Sequence, residues 1–204
     1  MQLLHLGVNF YFTHCICVQI NRLFREGFEM AEKINRPPEL TKTHPHLKGF
    51  MDFLTHLNSE SERGQVLISA SMVDNLLLEI LKSFLLDSKS ASKLISGFNA
   101  PLGTFSSRIE AAHALGLISD TEHQDASIIR KIRNEFAHSI AISFSDERIK
   151  QITPKLHFKA EDYEDVVVDA RGQFSSAATC LILNLTNRPH YVGKERLKSR
   201  SWEF

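Results

Sequence analysis

The sequence predicts an all-α protein built as a single helical bundle with no sheet. Apolar residues recur at the three- and four-residue spacing of a helix, most clearly at Ile129, Ile132, Phe136 and Ile140. No segment shows the strict apolar–polar alternation of a half-buried strand. Internal repeats, long linkers and glycine-rich phosphate loops are also lacking in the sequence. Such a pattern is typical of helices packed on helices around one core.

The first predicted elements lead to the centre of the bundle. Residues 47–57 form a short amphipathic helix. The spacing Ser59-x-x-Glu62 is a capping box, in which each side chain satisfies a backbone amide at the helix start. It predicts a long helix that runs to about Leu86. Because apolar residues cover this helix nearly all round, we expect it to be the central helix.

A structured connector is predicted at 97–103, after the central helix. Phe98 and Leu102 stand between its turn-forming residues. We expect both side chains to be buried against the central helix. Thr104 can cap the next helix, 105–115, by accepting a hydrogen bond from a free backbone amide.

Two further long helices complete the predicted bundle. A second capping box, Ser119-x-x-Glu122, opens the helix that carries the apolar stripe. Residues 144–161 are predicted to be a loop with room for one helical turn. The last long helix spans 164–186, with Val167 among its inward residues. Asn187-Arg188-Pro189 ends it, because proline cannot donate a backbone hydrogen bond.

Composition and charge limit the classes of protein to consider. The 204 residues suit one domain with short extensions, and 43% apolar residues can form a core. The formal net charge is zero, so whole-molecule electrostatics favour neither a nucleic-acid nor a membrane partner. Three cysteines, Cys15, Cys17 and Cys180, are too few for a disulfide framework and favour a reduced, cytoplasmic setting. No metal or cofactor is predicted, since Cys15-x-Cys17 lacks zinc-ligand spacing.

Three regions are predicted along the chain. They are an N-terminal extension at 1–45, a helical domain at 46–188 and a basic tail at 189–204. Polar residues interrupt the apolar stretch 3–20, which argues against a signal peptide or a membrane span. Arg25-Glu26-Gly27 can be encoded by a purine-rich sequence resembling a ribosome-binding site, just upstream of Met30. We therefore expect residues 1–29 to be a translated leader.

One polar helix surface gathers the candidate functional residues. Arg130, Asn134 and His138 follow each other at i, i+4 spacing opposite the apolar stripe. Arg133 falls at the shoulder between the two faces, and Lys131 adds a further positive charge. An imidazole that titrates near neutrality, an amide and guanidinium groups can together bind or act on an anion. We expect this surface to line a concave site.

Asp74 is the second candidate, because it falls among apolar residues of the central helix. An unpaired carboxylate would be costly to bury there, so Asp74 needs a cationic or hydrogen-bonding partner. Arg133 and Arg108 are the best candidates, and a wet groove is the alternative. We include Asp74 and Arg108 with Arg130 and Lys131 as candidate binding residues.

The helices 105–115 and 120–140, joined by a glycine turn, have the outline of a helix–turn–helix unit. In such a unit the first turn of the second helix enters the major groove of DNA. Here that turn presents Asp120, Glu122 and Asp125, and carboxylates oppose binding to phosphate-lined DNA. We therefore expect no sequence-specific DNA binding by this chain alone.

Four stretches of sequence together resemble the mannitol operon repressor (MltR-type) family of bacterial regulators. They are Ser61-Glu62-Arg63-Gly64, the run 97–108, Ala114-Leu115-Gly116-Leu117-Ile118 and the run 129–139. The resemblance implies an all-helical transcriptional regulator of a sugar-alcohol operon, and it implies no recognised DNA-binding motif. The leading hypothesis is a cytoplasmic regulator, expected to be a homodimer, that acts through protein or RNA contacts.

A narrower resemblance concerns Arg133 and His138, which form an Arg-x4-His string similar to the motif of HEPN domains. That resemblance implies a helical, often dimeric, metal-independent endoribonuclease. His138 would then act as acid or base, Arg133 would stabilise the charge on phosphorus, and Asn134 would orient one of them. An inert dimerising scaffold is the third hypothesis.

Overall fold

The computed structural model describes residues 48–162 and 167–202, in which all regular structure is helical. The predicted all-α class is confirmed, and these residues contain no strand. The chain divides into two units, Met1–Ser61 and Glu62–Phe204. The predicted N-terminal extension, 1–45, and its leader lie outside the described residues.

The described part of the first unit is one helix, α1, at Lys48–Ser59. Its apolar residues Phe50, Leu54 and Leu57 recur at helical spacing. The rings of Phe50 and Phe53 stack with their centroids 6.5 Å apart. The predicted short amphipathic helix is therefore present.

The first predicted capping box is wrong. Ser59 is the last residue of α1, and its hydroxyl donates to the carbonyl oxygen of His56 at 2.7 Å. The Glu62 carboxylate accepts a hydrogen bond from the backbone amide of Phe144 at 2.9 Å. Serine hydroxyls readily bond to nearby backbone groups, and that of Ser59 bonds within its own helix. The Glu62 carboxylate bonds instead to a backbone amide that is distant in the sequence.

The second unit consists of helices packed around one long central helix. Within the described residues its α-helices are α2 (Glu62–Phe84), α3 (Lys89–Ile95), α4 (Phe105–Ala114), α5 (Asp120–His138), α6 (Glu147–Lys150), α7 (Ala170–Thr186) and α8 (Arg188–Lys194). A short 3₁₀ helix, Thr153–Lys155, follows α6. Helix α2 packs against α4, α5, α7 and α8, so the predicted central helix is confirmed.

Helix α2 is long and apolar enough to cross a membrane by length and composition alone. Its position accounts for that character, because Val66, Val73, Leu77 and Ile80 are fully buried among the neighbouring helices. A core helix that is apolar nearly all round is expected where several helices cover it.

The apolar stripe of α5 is the second part of the core. Ile129, Ile132 and Phe136 are fully buried. The Phe136 ring lies 5.1 Å from that of Phe144, within the range of favourable aromatic pairs. The prediction that Ile140 continues this stripe is wrong, because α5 ends at His138 and Ile140 is 98% exposed. Helical periodicity cannot place a residue beyond the last turn.

The starts of α4 and α5 follow the predicted caps. Thr104 and Ser107 form a reciprocal capping box at α4. Ser119 and Glu122 form the predicted box at α5. The connector prediction is wrong, because Phe98 is 97% exposed and Leu102 is only half-buried. The two neighbours of Phe98 adopt positive φ angles, so the backbone turns the ring away from the core.

The last helices differ from the prediction at their starts. Helix α7 begins at Ala170, where the Asp169 carboxylate accepts from the amide of Gly172 at 2.7 Å. Val167, predicted to face inward, lies before this helix and is 80% exposed. Helix α8 follows α7 directly and packs on α2.

The chain beyond α8 continues to bond to α2. The Arg196 guanidinium donates to the carbonyl oxygens of Lys82 and Ser83 at 3.2 and 3.1 Å. The backbone amide of Leu197 donates to the carbonyl oxygen of Phe84 at 2.8 Å. Part of the basic stretch thus caps the C-terminal end of α2, where free carbonyls attract a cation.

Candidate functional site

The outer face of α5 carries an open groove of about 610 Å³. Its lining residues all belong to α5 and are mainly polar: His123, Gln124, Ser127, Ile128, Arg130, Lys131, Asn134 and Glu135. Arg130, Lys131 and Asn134 belong to the predicted set, whereas Arg133 and His138 do not line this groove. The predicted concave surface is therefore shallow and contains part of the candidate site.

Arg133 lies beside the groove rather than at the edge of the core. Its side chain is exposed, and Nη1 donates a hydrogen bond to Oδ1 of Asn134 at 3.0 Å. This contact joins two of the three proposed catalytic residues. The guanidinium keeps further donors that face solvent, as an anion-binding group requires.

His138 is the last residue of α5, and its side chain is exposed. The backbone around it is held by Arg63 of α2. One guanidinium nitrogen of Arg63 bonds to the carbonyl oxygen of Phe136. The other bonds to the carbonyl oxygens of Ser139 and Ile140 at 2.6 and 3.0 Å. The arginine therefore caps the C-terminal end of α5, where the helix dipole favours a positive charge.

The sequence patterns did not identify Arg63 as a residue that positions the end of α5. Its partners lie more than 70 positions away along the chain, so no local pattern predicts the contact. The only signal was the presence of Arg63 in the Ser61-Glu62-Arg63-Gly64 stretch of the family resemblance.

Asp74 pairs with Arg108, the second of its two predicted partners. Arg108 Nη1 lies 2.8 Å from Asp74 Oδ1, and Arg108 Nε donates to the carbonyl oxygen of Leu102 at 3.0 Å. Neither residue lines the α5 groove. Their contacts attach the connector to the central helix, which is a structural role.

The first turn of α5 is occupied by contacts within the protein. Asp120 Oδ1 lies 2.8 Å from His113 Nε2, and His123 Nε2 lies 3.2 Å from Glu110. The two imidazole rings stack with centroids 4.2 Å apart. These contacts join α4 to α5 as an antiparallel pair.

Glu122 has a double role at the same turn. It completes the capping box by accepting from the amide of Ser119 at 2.8 Å. It also pairs with Arg188, whose Nη2 lies 2.7 Å away and whose Nη1 donates to the carbonyl oxygen of Leu117. The charge of this buried carboxylate is therefore balanced by α8.

Asp125 is fully buried, one turn further along α5. Its two carboxylate oxygens accept from the backbone amides of His157 and Phe158 at 2.7 and 3.0 Å. Loss of hydration on burial raises the pKa of Asp125, and the two amide hydrogen bonds partly oppose this rise. Asp125 thus fixes the loop before α7, a role that its place in a polar turn did not indicate.

Among the described residues, no group of three or more histidine, cysteine or acidic side chains could hold a metal ion. The described residues form a helical bundle in which the second half of α5 is cationic and accessible. Its chemistry suits the recognition of an anionic or polar surface.

Comparison with solved structures supports the helical fold. No family description matches the chain, and no curated protein matches it. The fold is similar to a chain in the X-ray structure of the MtlR–HPr complex from Escherichia coli, with a TM-score of 0.51 and 21% sequence identity. The similarity covers 72% of this chain and 99% of that chain. The expected mannitol-repressor-like fold is therefore supported by structure.

Proposed function

We propose that this chain is a cytoplasmic regulatory protein that acts by binding a protein partner through the outer face of α5. The observation that carries the proposal is the fold similarity to a structure solved as a complex with HPr. The proposed partner is an HPr-type protein. Homodimer formation and RNA contacts stay predictions.

The charge of the α5 face supports a docking role. Arg130 and Lys131 line the groove and Arg133 flanks it. Glu135 is the one acidic residue among the residues that line this groove. Helix α5 is anchored by its buried stripe and its caps, so little ordering is needed on binding. Complementary charge on a partner would speed association and set its orientation.

The first turn of α5 argues against direct DNA reading. Asp120, Glu122 and Asp125 bind other parts of the protein, and each is a carboxylate. A helical turn that enters a groove of DNA instead needs free hydrogen-bond donors and positive charge. A repressor role would then require another protein to supply DNA binding.

Calorimetric titration of the chain with purified E. coli HPr tests the proposal. We expect binding by the wild type, and an affinity at least about 10-fold lower for the double variant R130E/K131E at ~0.1 M salt. The control is K150E, which reverses the charge of a single exposed lysine on α6 outside the groove lining. Absence of wild-type binding contradicts the proposal, and equal loss in K150E would show only a general charge effect.

The second candidate function is a metal-independent endoribonuclease. It is favoured by the exposed Arg133–Asn134 pair and by the Arg63 cap that holds the backbone at His138. If this function is correct, the chain cleaves RNA in the presence of a metal chelator, and H138A lowers the rate of cleavage by about 100-fold or more. Exposed His190 provides the control variant H190A. A chain that neither cleaves RNA nor binds HPr would match the inert scaffold.

A further inference from the structure

The C-terminal segment, residues 190–202, is held against the bundle by part of its side chains. Val192 of α8 is buried where this helix packs on α2. Arg196 and Leu197 bond to backbone carbonyl oxygens at the end of α2. These contacts fix the path of the segment as far as Leu197, so the exposed residues between them stand on a defined support.

The side chains of the C-terminal segment that face solvent include two aromatic rings with cations between them. Tyr191 is 48% exposed and Trp202 is 74% exposed. Lys194, Lys198 and Arg200 lie between these two residues in the chain and are exposed. The ammonium group of Lys194 lies 5.3 Å from the centre of the Tyr191 ring, within the range of a cation–π contact. Flat rings and positive charges are therefore accessible together on a short length of chain.

The local charge at this end of the sequence is positive, although the chain as a whole has no net charge. Residues 190–204 hold four lysines and arginines against two glutamates. A positive local field attracts a polyanion, and the counterions that the polyanion releases add to the affinity. Arg196 is already bonded to the end of α2, which leaves Lys194, Lys198 and Arg200 as the cations for a ligand.

From these observations we propose that the C-terminal segment is a binding site for single-stranded nucleic acid. Lys194, Lys198 and Arg200 bind phosphate groups of the strand. Tyr191 and Trp202 stack on its bases. A positively charged path combined with aromatic rings is the means by which proteins bind single strands without reading their sequence. The site goes beyond the proposed function and does not rest on it, since none of these residues lines the α5 groove.

The exposed rings favour a single strand over a duplex. In a duplex each base is already stacked on its neighbours, so a side chain reaches a base face only by unstacking it. A single strand leaves base faces free, and these stack on aromatic side chains whatever the sequence. The strand is also flexible enough to bring successive phosphates to cations that are spaced along an irregular segment.

Other anionic partners complement only part of this surface. A helix that lies on a membrane needs a continuous apolar face. Helix α8 has seven residues, and its Val192 is buried in the protein instead. Beyond α8, Ser199 and Ser201 alternate with the charged residues, so the described part of the segment has no such face. An acidic protein surface pairs with the cations but offers no series of flat rings for Tyr191 and Trp202.

The fluorescence of Trp202 reports directly on the proposed site, because it is the one tryptophan in the sequence. The probes are oligo(U) and oligo(dU) of about 15 nucleotides, a length that one binding surface can cover. We expect them to bind the full chain at ~0.05 M salt and to quench the Trp202 emission by stacking. Three phosphate contacts at about −0.7 each predict a slope of about −2 for log affinity against log salt. The tighter of the two probes identifies RNA or DNA as the ligand.

A first pair of variants tests the stacking contact, with affinity measured by the anisotropy of a labelled probe. We expect W202A to lower the affinity by about 10-fold and to leave the salt slope unchanged, because it removes a ring and no charge. The matched control F98A removes another exposed ring, on the connector between α3 and α4, and should bind like the wild type.

A second pair of variants tests the phosphate contacts. K198E/R200E should lower the affinity by about 10-fold or more and reduce the salt slope to about −0.7, since one of three cations is left. The matched control K89E/K93E reverses two exposed charges on α3 and should lower the affinity by less than about 3-fold, through the general field alone.

Four results would overturn the site. The first is absence of binding to both probes. The second is binding of polyphosphate as tight as that of the probes at equal charge, because charge alone would then be recognised. The third is tighter binding to vesicles of equal parts phosphatidylcholine and phosphatidylserine, which would assign the segment to a membrane. The fourth is a loss of affinity in the two control variants as large as in W202A and K198E/R200E, which would place the binding elsewhere on the chain.

Discussion

Both halves of α5 carry charged residues, yet the two halves use them differently. In the first half, Glu122 and Asp125 are buried and bond to α8 and to the loop before α7. In the second half, Lys131 and Arg133 are exposed on the outer face. One half of the helix therefore anchors it, which leaves the other half available for binding at little structural cost.

The strongest test of the anchoring half is D125A. Removal of the carboxylate leaves the buried amides of His157 and Phe158 without an acceptor, and each such group costs about 1–3 kcal/mol. We expect the free energy of unfolding to fall by about 3 kcal/mol in urea denaturation. D125N, which keeps one acceptor oxygen, should lose less. A loss below ~1 kcal/mol for D125A would contradict the anchoring role.

The pH dependence of the same site has a definite sign. Burial raises the pKa of Asp125 above its ordinary value of 3.8. Between 3.8 and the raised pKa, the folded protein holds a proton that the unfolded chain has lost. The stability of the wild type relative to D125N should therefore decline as the pH rises through this window. A relative stability that increases there would show that the amide hydrogen bonds outweigh burial.

The cap at the other end of α5 should have a smaller effect. R63A removes the bonds to the last carbonyls of the helix, and we expect a loss of about 1–2 kcal/mol. Amide exchange should rise at Ser139 and little at Ile129, since the central turn keeps its own hydrogen bonds. Equal acceleration at both amides would mean that Arg63 supports the whole helix.

The smallest change is expected on the exposed half. R130E/K131E should alter the free energy of unfolding by less than about 0.5 kcal/mol, because surface substitutions away from buried contacts usually do. Thermal or urea denaturation beside D125A measures the contrast between the two halves directly. A loss comparable to that of D125A would mean that the second half is structural too.

Local sequence patterns predicted most of the fold and part of the candidate site. The predicted cap at Thr104 and the predicted capping box at Ser119 lie within a few positions of their partners, and the α5 stripe reflects the helix period. Besides the capping box at Ser59, the wrong predictions concern the apolar residues Phe98, Ile140 and Val167, each of which lies outside a regular helix. Outside a helix, backbone φ angles and chain direction decide exposure, and apolar character alone does not.

The sequence by itself determined the class of fold, the central helix and the helix that carries the candidate site. These depend on periodicity and on contacts between residues close in the chain. Only the tertiary structure decided that Asp74 binds Arg108, that Arg63 caps α5 and that Asp125 holds a distant loop. Such contacts join residues tens of positions apart, and their energies depend on burial and on partner geometry, which appear only when the helices pack.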